Sequence, residues 1–127
     1  MNEKYDAIVL SGVLEHLTKE QGTNILSVLD FYTGKVVIET PNGFLKQPDL
    51  YHGNPHQGHK SGWTSTEFRK RGFKVYGKNG WKPFTGAFGI PRSPRFLFSI
   101  LGDITQPLLW NHPEHSFNLI AVRETSK

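Results

Sequence analysis

Two short apolar runs constrain this chain most. YDAIVL (residues 5–10) and KVVIET (35–40) are rich in β-branched residues and stand on either side of a helix-length segment. Runs that are apolar on both faces suit buried parallel strands. Parallel strands need a crossover, and the helix between them supplies one. Thr18 and Gln21 have the spacing of a capping box at its start. Ile25, Val28, Leu29 and Tyr32 then recur at helical spacing as a core-facing stripe, and Thr33-Gly34 ends the helix.

A second helix is signalled over WTSTEFRKRG. Thr64 is its N-cap, Glu67 completes a capping box, Trp63 and Phe68 have the spacing of a hydrophobic staple, and Gly72 supplies the stop. FKVYG (73–77) follows as a third strand and SFNLIAVRE (116–124) as a fourth. A long connection, 41–62, separates the second strand from this helix and carries His52, His56 and His59. A structureless connection of that length is usually either functional or partly disordered. A second irregular segment, 78–115, is dense in Gly, Pro and aromatic residues, with a helix predicted over 94–101. It is too long for a hairpin and reads as an insertion. The order strand, helix, strand, loop, helix, strand, insertion, strand predicts an α/β sheet whose last strands pair antiparallel.

At 127 residues the chain is the size of one small domain, and its 36% hydrophobic content supports a core. The absence of cysteine excludes disulfides, thiolate metal cages and a Cys nucleophile. No apolar run reaches membrane-spanning length, the N-terminus lacks a signal-peptide plan, and a soluble cytoplasmic protein is expected. The net charge of +4 is concentrated in residues 60–95. Lys60, Arg69, Lys70, Arg71, Lys74, Lys78, Lys82, Arg92 and Arg95 stand there against Glu67 alone. That is either a solvated basic face or a surface for an anionic partner such as phosphate, acidic sugar, nucleic acid or lipid headgroups.

The ordered set of these words resembles the C-terminal half of a class I S-adenosylmethionine-dependent methyltransferase. YDAIVLSGVLEHL is similar to the fourth strand and its turn, KVVIETPNG to the fifth strand and its exit, STEFRKRGFKVYG to the last helix and sixth strand, and FNLIAVRE to the seventh strand. The resemblance implies a partial Rossmann-like sheet of strands four to seven, the last antiparallel between the fifth and sixth. The family's Gly-rich cofactor turn and ribose-binding acid belong to strands one to three, which are missing. The chain is therefore expected to be one partial domain over 1–127, inactive alone. Its open edge at residues 5–10 is expected to recruit another copy.

By the same resemblance, Ser11, Gly12 and Val13 would lie along the methionine part of S-adenosylmethionine. Glu15 and His16 are either a local helix-end charge and a satisfied polar residue, or the groups that take a proton from the acceptor during methyl transfer. Asn42, His52, His56 and His59 are read as substrate-side groups on the loop. Some ubiquinone-pathway and small-RNA methyltransferases bind Mg²⁺ through an E-x-x-E-H and a further His. Gly12 takes the place of the first Glu here, so one ligand is lost; Glu15, His16 and a loop His could still form a site, but Mg²⁺ is not expected and no residue is assigned as a metal ligand. The histidines of the Gly/Pro loop also lack the spacing of a stand-alone zinc site. His112 and His115 are read as part of a turn. The insertion is either the core of a small lobe or a lid over an acceptor with apolar and anionic parts. The expected activity is methyl transfer to an O or N atom of a small-molecule, glycan or lipid-linked acceptor, with nucleic acid not expected as a partner. The alternative is a non-catalytic interaction module of the same fold.

Overall fold

The computed structural model describes residues 5–32, 34–47, 53–86 and 89–124. Strands β1 (Ile8–Ser11), β2 (Lys35–Pro41), β3 (Lys74–Trp81) and β4 (Ser116–Glu124) form one sheet in the order β1-β2-β4-β3. β1 and β2 are parallel, in register from Ile8↔Val36 to Ser11↔Glu39. β4 runs antiparallel between β2 and β3. The α/β class and the inserted antiparallel last strand are as expected.

Helices α1 (Lys19–Val28) and α2 (Ser65–Lys70) cover one face of the sheet. Between them and the sheet lie Leu14, Leu26, Val36, Ile38, Trp63, Phe68 and Leu119, all nearly or fully buried. Both capping boxes form, Thr18 with Gln21 and Thr64 with Glu67. The staple forms too. Trp63 and Phe68 are fully buried and stack with centroids 5.6 Å apart, and Gly72 takes the left-handed φ of 80° that ends α2. Fully burying an aromatic of this size stabilises by roughly 1.5–3 kcal/mol, so this pair holds the six-residue α2 in place.

Three expectations change. The core stripe of α1 is Gly22, Leu26 and Leu29, with Ile25 partly buried, whereas Val28 and Tyr32 are exposed. Val28, the last residue of the α-helix, lies off this stripe, and the 3₁₀ turn that follows over Leu29–Phe31 rotates Tyr32 outward. β1 is not buried on both faces: Val9, opposite the core side, is 64% exposed. β3 does not stop at Gly77 but runs to Trp81 through a register shift at Asn79 and Gly80, both in the left-handed region.

Helix α3 (Arg95–Trp110) is also twice the predicted length. The helix passes through both Gly102 and Pro107. Gly102 packs so closely on Gly80 that a Cβ at Gly80 would lie 3.2 Å from its Cα. α3 lies against β3, the edge strand. Gln106 binds that strand as a neighbouring strand would, donating to the Gly77 carbonyl at 2.8 Å and accepting from the Gly80 N–H at 3.1 Å. Tyr76 and Trp110 stack beside this pair, their ring centroids 4.7 Å apart.

Candidate functional site

The parallel strands β1 and β2 end side by side, and ligands of open α/β sheets bind outside such carboxyl ends. β1 leaves the sheet through Gly12, whose φ of 66° turns the chain sharply into a 3₁₀ turn over Leu14–His16. That turn buries Glu15, which is 6% exposed. Glu15 Oε2 accepts a 3.1 Å hydrogen bond from the Thr40 hydroxyl at the end of β2, so the carboxylate is oriented by the neighbouring strand.

The His-rich loop folds back on this turn. The Glu15 carbonyl accepts from the N–H groups of Lys60 at 2.7 Å and Ser61 at 3.2 Å, and the Ser61 hydroxyl donates to the Leu14 carbonyl at 3.0 Å. His59 is thereby brought to His16, with ring centroids 4.9 Å apart and planes at 69°. Glu15, His16 and His59 each offer a ligand atom, and these atoms all lie within 4.8 Å of one another.

Hydrogen bonds settle the tautomers. His16 Nδ1 is 3.2 Å from the Gly58 carbonyl and His59 Nδ1 is 2.6 Å from the Leu45 carbonyl. A carbonyl can only accept, so each Nδ1 carries a proton, and the tautomer this selects for the neutral ring has its lone pair on Nε2. A carbonyl behind each imidazole and a hydroxyl behind the carboxylate are the outer contacts that metal-ligating residues have. The set therefore fits a divalent cation. One carboxylate and two imidazoles suit a transition metal such as Zn²⁺, Mn²⁺ or Fe²⁺ more than Mg²⁺, which prefers oxygen ligands.

The sequence assigned no metal ligand, whereas these three residues form a group that could hold one. A Gly/Pro loop gives no geometry of its own, and the geometry comes from backbone bonds to the Leu14–His16 turn. Among the described residues, His56 and Asn42 do not join the cluster. His56 is exposed in a turn where its N–H bonds Asn54 Oδ1, and His52 lies outside the described residues. Asn42 is engaged elsewhere: its Nδ2 lies 2.9–3.0 Å from the carbonyls of Pro113, Glu114 and Ser116, tying the exit of β2 to the turn before β4. His112 and His115 belong to that turn, as expected.

Ser11 and Gly12 line a cleft of about 380 Å³ together with Glu15, His16, Glu39 and His59. A Cβ on Gly12 would meet only Glu15 Oε1, at 3.9 Å, so a ligand could approach this backbone closely. Val13 is 36% exposed beside it. No described residue supplies a Gly-rich strand–turn–helix for the phosphate-free but bulky nucleoside end of S-adenosylmethionine. The far wall of the cleft was not anticipated from sequence. Glu39 takes a 3.3 Å bond from the Ser11 hydroxyl and a 2.8 Å ion pair from Lys78, and Asn118 brings a buried Oδ1 that lacks a donor among the described residues. Glu39 at the exit of KVVIET was the available signal.

The basic stretch is partly internal. Lys78 pairs with Glu39, Arg69 with Glu114, Arg71 donates to the Glu67 carbonyl and Lys82 to the Asn42 carbonyl.

No protein-family model matches the chain, and no curated protein sequence matches it. Solved structures do. The small RNA methyltransferase HEN1 superposes on 99% of this chain with a TM-score of 0.54 at 13% identity. A SAM-dependent methyltransferase from Archaeoglobus fulgidus covers 98% with a TM-score of 0.51 at 17% identity. The chain spans 14% and 61% of the lengths of those two proteins. The fold is thus that of SAM-dependent methyltransferases.

Proposed function

We propose that this chain is the acceptor-side part of a metal-dependent, S-adenosylmethionine-dependent methyltransferase, with its acceptor oxygen or nitrogen brought to Glu15, His16 and His59. The observation that carries the reading is the convergence of those three side chains at the carboxyl ends of β1 and β2, each held from behind by a hydrogen bond. S-adenosylmethionine supplies an electrophilic methyl group on a sulfonium. A divalent cation polarises and orients an acceptor hydroxyl, easing loss of its proton. Of the chain's own residues, Ser11, Gly12 and Val13 would border the methionine end of the cofactor. Thr40 holds Glu15, and the Gly58 and Leu45 carbonyls hold Nδ1 of His16 and His59, which in the neutral ring leaves the lone pair on Nε2. That tautomer can ligate a metal or accept the acceptor's proton.

The acceptor class that fits is a small molecule, a glycan or a lipid-linked precursor carrying a hydroxyl or amine. HEN1 acts on small RNA, but four cations of the basic stretch here are engaged within the chain, which speaks against a continuous nucleic-acid track. Calorimetric titration of Zn²⁺, Mn²⁺ and Mg²⁺ tests the metal site. Stoichiometric binding of Zn²⁺ or Mn²⁺ that is lost in His59→Gln is expected, and no binding of any of them would overturn the metal reading. The nucleoside end of the cofactor needs residues beyond this chain, so S-adenosylmethionine is expected to bind weakly here and tightly once those strands are supplied.

One observation favours a second reading. β1 pairs only with β2, and its other edge is open among the described residues. As a non-catalytic module the chain would join another strand there. Concentration-dependent association in sedimentation, with no cofactor or metal binding, would select that reading.

A further inference from the structure

Helix α3 is apolar on the side away from the sheet. Phe96, Ile100, Ile104 and Leu108 recur every four residues and are 72%, 53%, 66% and 69% exposed. This outer stripe is not a misplaced core face. The inner side is already filled, by Phe98 beside Phe84, by buried Leu109 and by Gln106 on the β3 edge. A continuous exposed stripe on a helix marks a surface that meets something apolar.

The charges beside the stripe say what else the partner carries. Arg92 and Arg95 flank the start of α3, and the first turn holds no acid. Cations at a helix N-terminus oppose the helix dipole, so the helix itself gains nothing from them. Among the described residues neither arginine meets a carboxylate. Trp81 and Trp110, 41% and 43% exposed, add indole rings of the kind that favour a boundary between apolar and polar media. A second copy is a poorer match than a bilayer. An antiparallel pair of α3 helices would bring Arg95 to the far end of its mate, where the nearest acid, Glu114, is already taken by Arg69 and His112. The sole acid within α3 is Asp103. Strands that continue the sheet would be added at β1, at the opposite edge from α3.

We propose that α3 docks this protein on an anionic lipid surface, with Phe96, Ile100, Ile104 and Leu108 at the acyl boundary and Arg92 and Arg95 among the headgroups. At 16 residues α3 lies on the bilayer, and no helix among the described residues is long and apolar enough to cross one. The docking stands independently of methyl transfer, because it requires neither cofactor nor metal.

Flotation of the whole chain with vesicles tests it. One set is phosphatidylcholine alone and the other an equal mixture with phosphatidylglycerol. Each arginine near an anionic surface is worth about fivefold in partition, so the pair predicts about 25-fold preference for the mixed vesicles at low salt. Arg92→Gln with Arg95→Gln should bring the mixed vesicles down to the level of the neutral ones, and Ile104→Asn should weaken binding to both. All three residues are exposed, so far-UV circular dichroism should be unchanged. Equal partition into the two vesicle types would overturn the proposal. So would an absence of partition, whether or not sedimentation shows a dimer that Ile104→Asn dissolves, which would assign the stripe to a second copy.

Discussion

Replacing Thr40 by Val nearly keeps the shape of a side chain that is 2% exposed and removes one hydroxyl. That hydroxyl makes the 3.1 Å bond to Glu15 Oε2, and Glu15 is itself only 6% exposed. A hydrogen bond to a charged group contributes about 1.5–3 kcal/mol, and the buried methyl gained returns about 0.8 kcal/mol, so the metal-free protein should lose about 1–2 kcal/mol. The larger effect is on the metal. Loss of an outer contact typically lowers metal affinity about 10–100-fold. With free metal at 100 times the wild-type Kd, the wild type gains about 2.7 kcal/mol from binding, whereas a variant 100-fold weaker gains about 0.4 kcal/mol. Thermal melts with Zn²⁺ and with a chelator, alongside calorimetry, read both quantities. The metal-dependent rise in Tm should shrink several-fold in Thr40→Val and vanish in Glu15→Gln. An unchanged metal affinity in Thr40→Val would refute the idea that β2 orients the Glu15 carboxylate as a ligand.

Further outcomes follow from the frame around the site. Gly22→Ala should destabilise by about 1–3 kcal/mol although alanine is the better helix former by about 1 kcal/mol, because the new Cβ would sit 2.5 Å from Trp63 Cζ2; a rise in Tm would contradict this packing. Burial raises the Glu67 carboxyl, but hydrogen bonds from Lys19 and Thr64 outweigh it and hold the group below its ordinary 4.5. A lowered carboxyl stabilises the fold above its unfolded value and loses that contribution as pH falls through the folded one, so Glu67→Gln should lower Tm at pH 7 by an amount that disappears as pH drops below 4.5; a gap constant with pH would point to the cap geometry alone. Gln106→Leu should cost about 1–2 kcal/mol and speed amide exchange at Gly80, which loses its acceptor, and unchanged exchange there would place the bond outside the stable fold. Val9→Lys should reduce any self-association through β1, read by sedimentation at high concentration, since charged residues protect open strands.

The frame was legible where side chains sign the structure directly. Both capping boxes, the Trp63–Phe68 staple, the Gly72 stop and the full extent of β4 follow from residue types at fixed spacings. α3 was misread because Gly102 and Pro107 are helix breakers by propensity, and only the close contact with Gly80 and the Gln106 bridge to β3 show why the helix continues there. Tyr32 was misread because a 3.6-residue period was carried into a turn that winds more tightly, and Val28 because the stripe runs through Gly22, Leu26 and Leu29 instead.

The candidate site divides in the same way. Glu15 and His16 could be picked out because they sit directly after a strand, where the sheet itself directs a ligand. His59 could not be told from His52 or His56 by spacing, since all three lie on one Gly/Pro-rich connection. What selects His59 is its place next to Lys60 and Ser61, whose backbone N–H groups bond the Glu15 carbonyl. Any non-proline residue can make such bonds, so they leave no mark in the sequence. The same two bonds make the metal reading vulnerable in a useful way. If the loop lets go of the Leu14–His16 turn, His59 leaves while Glu15 and His16 stay. Ser61→Ala removes the hydroxyl bond to the Leu14 carbonyl and the hydroxyl that accepts from the Trp63 indole N–H, and touches none of the three ligands. It should weaken metal binding through His59 alone and leave no further loss in a His59→Gln background, whereas additive losses in the double variant would mean that Ser61 supports the site by another route.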